Sequence, residues 1–158
     1  MLAGLATRTL FEDRFPIALP AEHRLARRRQ LREADLADEE LLLLTEGHCL
    51  REQALAACGA RGVDEAADFR ASSLSTLIEI VSGGEGVTLL PELSIAVEAR
   101  RRDLALVRFA PPIPLRTIGL AWRAASGRAP EYALLAEWLV PTARSTAKSR
   151  GRVAKPRA

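Results

Sequence analysis

Four consecutive leucines, Leu41 to Leu44, limit the fold more than any other stretch of the chain. A strand that is apolar at every position has no face to offer to water. It must be covered on both sides, as in the middle of a sheet layered with helices. The neighbouring segments supply those layers. Phe15 to Leu19 is a short apolar run stopped by Pro20, followed by a basic turn from Arg24 to Arg32. Cys49 to Ala60 reads as a helix ended by Gly59 or Gly62, and Phe69 to Ala71 as a brief strand. Ser72 or Ser73 can cap a helix whose Leu74, Leu77, Ile78 and Val81 recur at helical spacing, closed by Gly83 and Gly84. Val87 to Leu90 is a further buried strand before Pro91, then come a helix from about Leu93 to Ala99 and a strand from Leu104 to Phe109. Pro111, Pro112, Ile113 and Pro114 cannot lie inside a helix and form an extended crossing. A strand from Arg116 to Trp122 and a helix from Pro130 to Val140 end the ordered part. This alternation predicts an α/β fold with mostly parallel sheets.

With 158 residues, 48% of them hydrophobic, the chain is long enough for one domain or two small lobes around a real core. The longest apolar run falls far short of the ~20 residues a bilayer span requires. Met1 to Leu5 also lacks the parts of a signal peptide. The expectation is a cytoplasmic protein with no membrane association, where thiols are kept reduced and a disulfide is redox-active rather than structural. The net charge of +3 owes much to the end of the chain, where Lys148, Arg150, Arg152, Lys155 and Arg157 alternate with small residues. Residues 144–158 read as a basic disordered tail. No aromatic residue is interleaved with those charges, so the signal for nucleic acid is weak.

Chemistry concentrates in the segment Gly47, His48, Cys49, Leu50, Arg51, Glu52, Gln53, Ala54, running on to Cys58. A thiol at a helix N-terminus meets free backbone N–H groups and the positive end of the macrodipole, which favour the reactive thiolate. His48 can add positive charge or a hydrogen bond, whereas Glu46 and Glu52 bring like charge. Cys58 follows nine positions after Cys49. In an unbroken helix that spacing places the two on opposite sides and roughly 13 Å apart along the axis. A disulfide needs Cα atoms about 4.4 to 6.8 Å apart, so the pair can bond only if the helix unwinds.

Plainer readings stand beside these. Cys58, between Ala57 and Gly59, also fits as a small core residue. His48 can serve as a cap, Arg116 can pair with a carboxylate for structure alone, and His23 reads as a surface residue. Ser72, Ser73 and Thr76 can line a ligand cleft, although capping explains them more simply. Gly83, Gly84 and Gly86 lack the Lys and Ser/Thr of a phosphate loop. A zinc site from His23, His48, Cys49 and Cys58 lacks close paired ligands, and no cofactor is expected.

The run from Thr45 to Gln53 with Cys58 after it resembles the redox centre of the hydrogen-peroxide-sensing OxyR branch of the LysR-type transcription regulators. Leu19 to Ala26, Phe69 to Leu74, Gly83 to Pro91 and Arg116 to Leu120 are colinear with the same family, from about Leu10 to Leu139. The resemblance implies a periplasmic-binding-protein type II-like effector domain. Residues 1–12 and 121–143 would be parts of a first lobe and residues 13–120 a complete second lobe, with the winged helix-turn-helix DNA-binding domain absent. It also implies that Cys49 is the peroxidatic thiol, Cys58 the resolving thiol, and His48, Arg116 and Thr45 supporting residues, Arg116 donating hydrogen bonds to thiolate and peroxide. In the family a first-lobe threonine outside this sequence also holds the peroxide, and a histidine often stands where this chain has Asp68.

By the same resemblance the partners are hydrogen peroxide, a second copy in a homodimer, and thiol reductants such as the glutaredoxin or thioredoxin systems. DNA would be met only through the absent domain. Two alternatives belong to other classes. A thiol peroxidase would share the first chemical step, but the chain carries no peroxidase motif, so an enzyme is not expected. A small-molecule-binding LysR-type effector domain would leave the two thiols incidental.

Overall fold

The computed structural model describes residues 4–46, 49–57, 65–99 and 103–150. The first strand, β1 (Leu5–Arg14), leads through Phe15 and Pro16 into β2 (Ile17–Pro20). The turns after Pro20 reach β3 (Gln30–Leu31), a 3-10 turn (Glu33–Leu36) and β4 (Leu41–Leu44). Then follow α1 (Cys49–Ala57), β5 (Glu65–Ala71), α2 (Leu74–Ser82), β6 (Thr88–Leu89), α3 (Glu92–Glu98), β7 (Leu104–Phe109), β8 (Leu115–Arg123) and α4 (Ala129–Arg150).

The four leucines of β4 are all buried, as an apolar strand covered on both faces must be. On one side β4 pairs in parallel with β5. On the other, Leu41 bridges Val87 in parallel, Leu42 N–H donates to Val87 O at 2.8 Å, and the buried Thr88 hydroxyl donates to Leu42 O at 2.8 Å. Val87 leads directly into β6, which joins the order β6, β2, β7, β3. The close approach of the Glu40 carbonyl, 2.7 Å from where a Cβ would stand, together with φ +54, explains Gly86.

The α/β class holds, but the expectation of mostly parallel sheets does not. Among the described residues β2 runs antiparallel to both β6 and β7, and β1 antiparallel to β8. The parallel ladders are β3 with β7 and β4 with β5. The cause is the connections. Strands joined through α1, α2 or α3 point the same way, as crossover helices require. No helix precedes β2 or lies between β2 and β3, and β2 is the strand that opposes its neighbours.

A long ribbon stands apart from this sheet. β1 and β8 pair from Leu5↔Arg123 to Arg14↔Leu115, with a register shift at Leu10 that turns this side chain inward, to 8% exposure. At Gly119 a Cβ would meet Arg8 O at 2.8 Å, so the crossing tolerates no side chain there. α4 packs on this ribbon and runs to Arg150. Residues 144–150 are therefore helical and not part of a disordered tail. Ala143, Arg144, Ala147, Lys148 and Arg150 are strong helix formers, and that preference outweighs the compositional signal of the basic charges.

Candidate functional site

The site begins where β4 runs out. Thr45 N–H donates to Ala71 O at 3.0 Å and so extends the β4–β5 ladder by one residue. Cys49 opens α1 as a free, exposed thiol. The helix is seated by Ala54, 4% exposed, with the half-buried Leu50 and Leu55 against the main core cluster. Gln53, one turn after Cys49, shares its face of the helix. Gly47, His48 and Cys58 lie outside the described residues, so neither the capping of α1 by His48 nor the separation of the two sulfurs is part of this geometry.

Arg116 reaches this helix from β8. Its Nη1 donates to Gln53 Oε1 at 3.0 Å, while Nε and Nη2 both lie 2.9 Å from Asp13 Oδ2. The guanidinium also stands over the Phe15 ring, 5.6 Å from its centroid. Asp13 is 2% exposed, and its second oxygen accepts Leu93 N–H at 3.1 Å, at the start of α3. One arginine thus links the thiol helix to a buried carboxylate on the opposite strand, where Asp13 and Arg116 are direct register partners.

Arg116 is therefore brought to α1 through Gln53. The pairing with a carboxylate, the structural reading of this residue, is present in Asp13. Asp13 and Gln53 were not recognised as site residues from sequence. The only hint was Asp13 itself, an acidic residue in the run leading into a buried strand. Its partner lies 103 positions away.

The other candidates are placed elsewhere. His23 is not a surface residue: its side chain is 20% exposed and its Nε2 lies 3.1 Å from Glu39 Oε2. Nδ1 accepts Leu25 N–H at 3.3 Å, so Nε2 is the donor to Glu39, which also pairs with Arg24. Glu39 is buried and needs these partners, which pulls the histidine inward. Among the described residues no group of three His, Cys, Asp or Glu side chains could hold a metal. Ser73 caps α2, its hydroxyl accepting Thr76 N–H at 3.1 Å, and Gly83 closes that helix. Glu52 is exposed and lies 3.8 Å from the Arg51 guanidinium. Among the described residues no helix is long and apolar enough to cross a membrane.

The model of the LysR substrate binding domain matches residues 2–144. This chain belongs to that family. Its fold is accordingly the periplasmic-binding-protein type II-like fold of LysR effector domains. A probable hydrogen peroxide-inducible genes activator of Mycobacterium avium is 48% identical over 135 residues, covering 85% of this chain and 43% of that protein. The chain spans less than half the length of these curated relatives. Among solved structures, a hydrogen-peroxide-bound OxyR mutant from Corynebacterium glutamicum superposes with a TM-score of 0.82 at 35% identity, over 96% of this chain and 50% of that one. The reduced OxyR regulatory domain from Pseudomonas aeruginosa gives 0.70 at 33% identity, over 89% of this chain and 68% of that one. Within the LysR family the similarity thus lies with OxyR regulatory domains and with proteins named as gene activators.

Proposed function

We propose that this chain is the redox-sensing part of a peroxide-responsive LysR-type regulator, with Cys49 as the thiol that meets hydrogen peroxide. The observation that carries this reading is a free, exposed Cys49 at the first residue of α1, on the helix that Arg116 grips through Gln53. The names of the relatives point the same way. Cys49 as thiolate attacks one peroxide oxygen; an S–O bond forms, the O–O bond breaks, and the departing hydroxide is protonated to water. The sulfur loses two electrons and the peroxide gains them. Arg116 supplies N–H donors toward the reacting oxygens, with Thr45 and His48 supporting from the loop before α1.

The Cys58 thiolate then attacks the sulfenic sulfur, forming the S–S bond and expelling the oxygen as water. α1 is helical over Cys49–Ala57, so closing a bridge from its first residue to Cys58 opens the turns between them. That rearrangement is the signal. A dithiol reductant of glutaredoxin or thioredoxin type returns both thiols by exchange. In this reading residues 13–120 form the second effector lobe, and the β1–β8 ribbon is its crossing to first-lobe residues 1–12 and 121–143. The protein works in the cytoplasm as a homodimer and meets DNA only through a domain outside this sequence.

Peptide mapping by mass spectrometry, before and after a small excess of hydrogen peroxide, tests the reading. The expected product is a Cys49–Cys58 disulfide that Cys49→Ser abolishes. Recovery of Cys49 as an unmodified thiol would move the assignment to a small-molecule-binding LysR-type effector domain.

A further inference from the structure

We propose that Asp13 is a positioning residue that aims the Arg116 guanidinium at the Cys49 helix and thereby sets the rate at which Cys49 reacts with peroxide. This rests on the reading of Cys49 as the peroxide-reacting thiol. Three features of Asp13 carry it. The carboxylate is almost wholly buried, at 2% exposure, where an ionised group persists only if fully partnered. It is fully partnered: Oδ2 accepts from both Nε and Nη2 of Arg116, and Oδ1 accepts from Leu93 N–H. Its position is also fixed by the backbone, because Asp13 on β1 is the register partner of Arg116 on β8.

The consequence for Arg116 follows from the geometry of a planar fork with five N–H donors. Holding Nε and Nη2 on the carboxylate, with the ring of Phe15 beneath the plane, leaves Nη1 directed at α1, where it meets Gln53. Three of the five donors are thus engaged, and two have no partner among the described residues. The side chain of Arg116 is 23% exposed against 1% for Asp13, so within the pair the arginine is the partner that a small molecule can reach. A small acceptor such as a peroxide oxygen fits such a site. Without Asp13 the long arginine side chain regains its rotamers and the donors lose their aim. Asp13 also caps α3, whose preceding Pro91 offers no side-chain cap, so a purely structural role is the rival account.

The test is the second-order rate of Cys49 oxidation by hydrogen peroxide, measured beside alkylation of the same thiol by iodoacetamide, with folding checked by circular dichroism. Asp13→Asn is expected to slow oxidation at least tenfold and alkylation less than threefold. Asp13→Glu, which keeps the charge but shifts it by one methylene, falls between Asn and wild type at about threefold. In an Arg116→Lys background Asp13→Asn adds no further loss of rate. Should Asp13→Asn not fold, Asp13→Glu decides, and an unchanged oxidation rate overturns the proposal. A reactive wild type whose rate Asp13→Asn leaves unmoved, or equal slowing toward both reagents, overturns the positioning role alone. A wild-type thiol inert to peroxide overturns the proposed function together with it.

Discussion

α1 and α2 are both nine residues long and follow parallel-paired strands of one sheet, yet they are held in very different ways. α2 buries Leu77, Ile78 and Val81, none more than 2% exposed. Its first turn is capped by Ser73, and Gly83 N–H closes the last turn on Glu79 O and Ile80 O. Among the described side chains of α1, only Ala54 is buried, while Leu50 and Leu55 are half-covered. The difference is one of binding energy. Burial of a large apolar side chain contributes about 1.5–3 kcal/mol, so three such anchors make α2 part of the cooperative core. Among the described residues α1 is held by one buried alanine, two partial contacts and the hydrogen bond from Arg116 to Gln53, so we infer that it opens as a local unit below the global unfolding free energy. In the proposed function this low local stability is what lets the helix unwind to join two cysteines.

Core truncations should break this comparison most sharply. Leu77→Ala in α2 is expected to lower global stability by about 2–5 kcal/mol, the range for a fully buried leucine. Leu50→Ala in α1 should cost less than half as much, both read from urea denaturation midpoints. Equal losses would mean that α1 is as deeply built into the core as α2. A smaller effect belongs to the cap: Ser73→Ala should cost about 1 kcal/mol in the same assay. Loss of this cap should leave the peroxide reactivity of Cys49 unchanged, because it acts on α2 alone.

Much of this layout was legible in the sequence, for reasons that differ from element to element. β4 and β7 were bounded correctly at Leu41–Leu44 and Leu104–Phe109, since an unbroken apolar run between polar residues, and one interrupted only by Arg108 between Asp103 and the proline-rich crossing, leave little choice. α2 was legible at both ends because a cap and a glycine stop act locally. The helical character of the segment from Cys49 was legible too. Strand direction was not, because the orientation of β2 is decided by partners far along the chain. The extent of α4 was also missed, where Pro141 reads as a stop although the helix continues past it. At the site, Cys49 and Arg116 were named from the sequence, whereas the side chains that hold Arg116 were not. Asp13 and Gln53 join Arg116 across 103 and 63 positions, and only tertiary packing brings those segments together.

The contrast between the two helices also states what oxidation should do. Amide hydrogen exchange across residues 49–57 and 74–82, compared in the reduced and peroxide-treated protein, reads it directly. Formation of the Cys49–Cys58 disulfide is expected to cost the first segment most of its protection and leave the second as slow as before. A disulfide-bonded protein whose residues 49–57 exchange as slowly as in the reduced form would contradict the account, since the helix would then have stayed wound with the bridge in place.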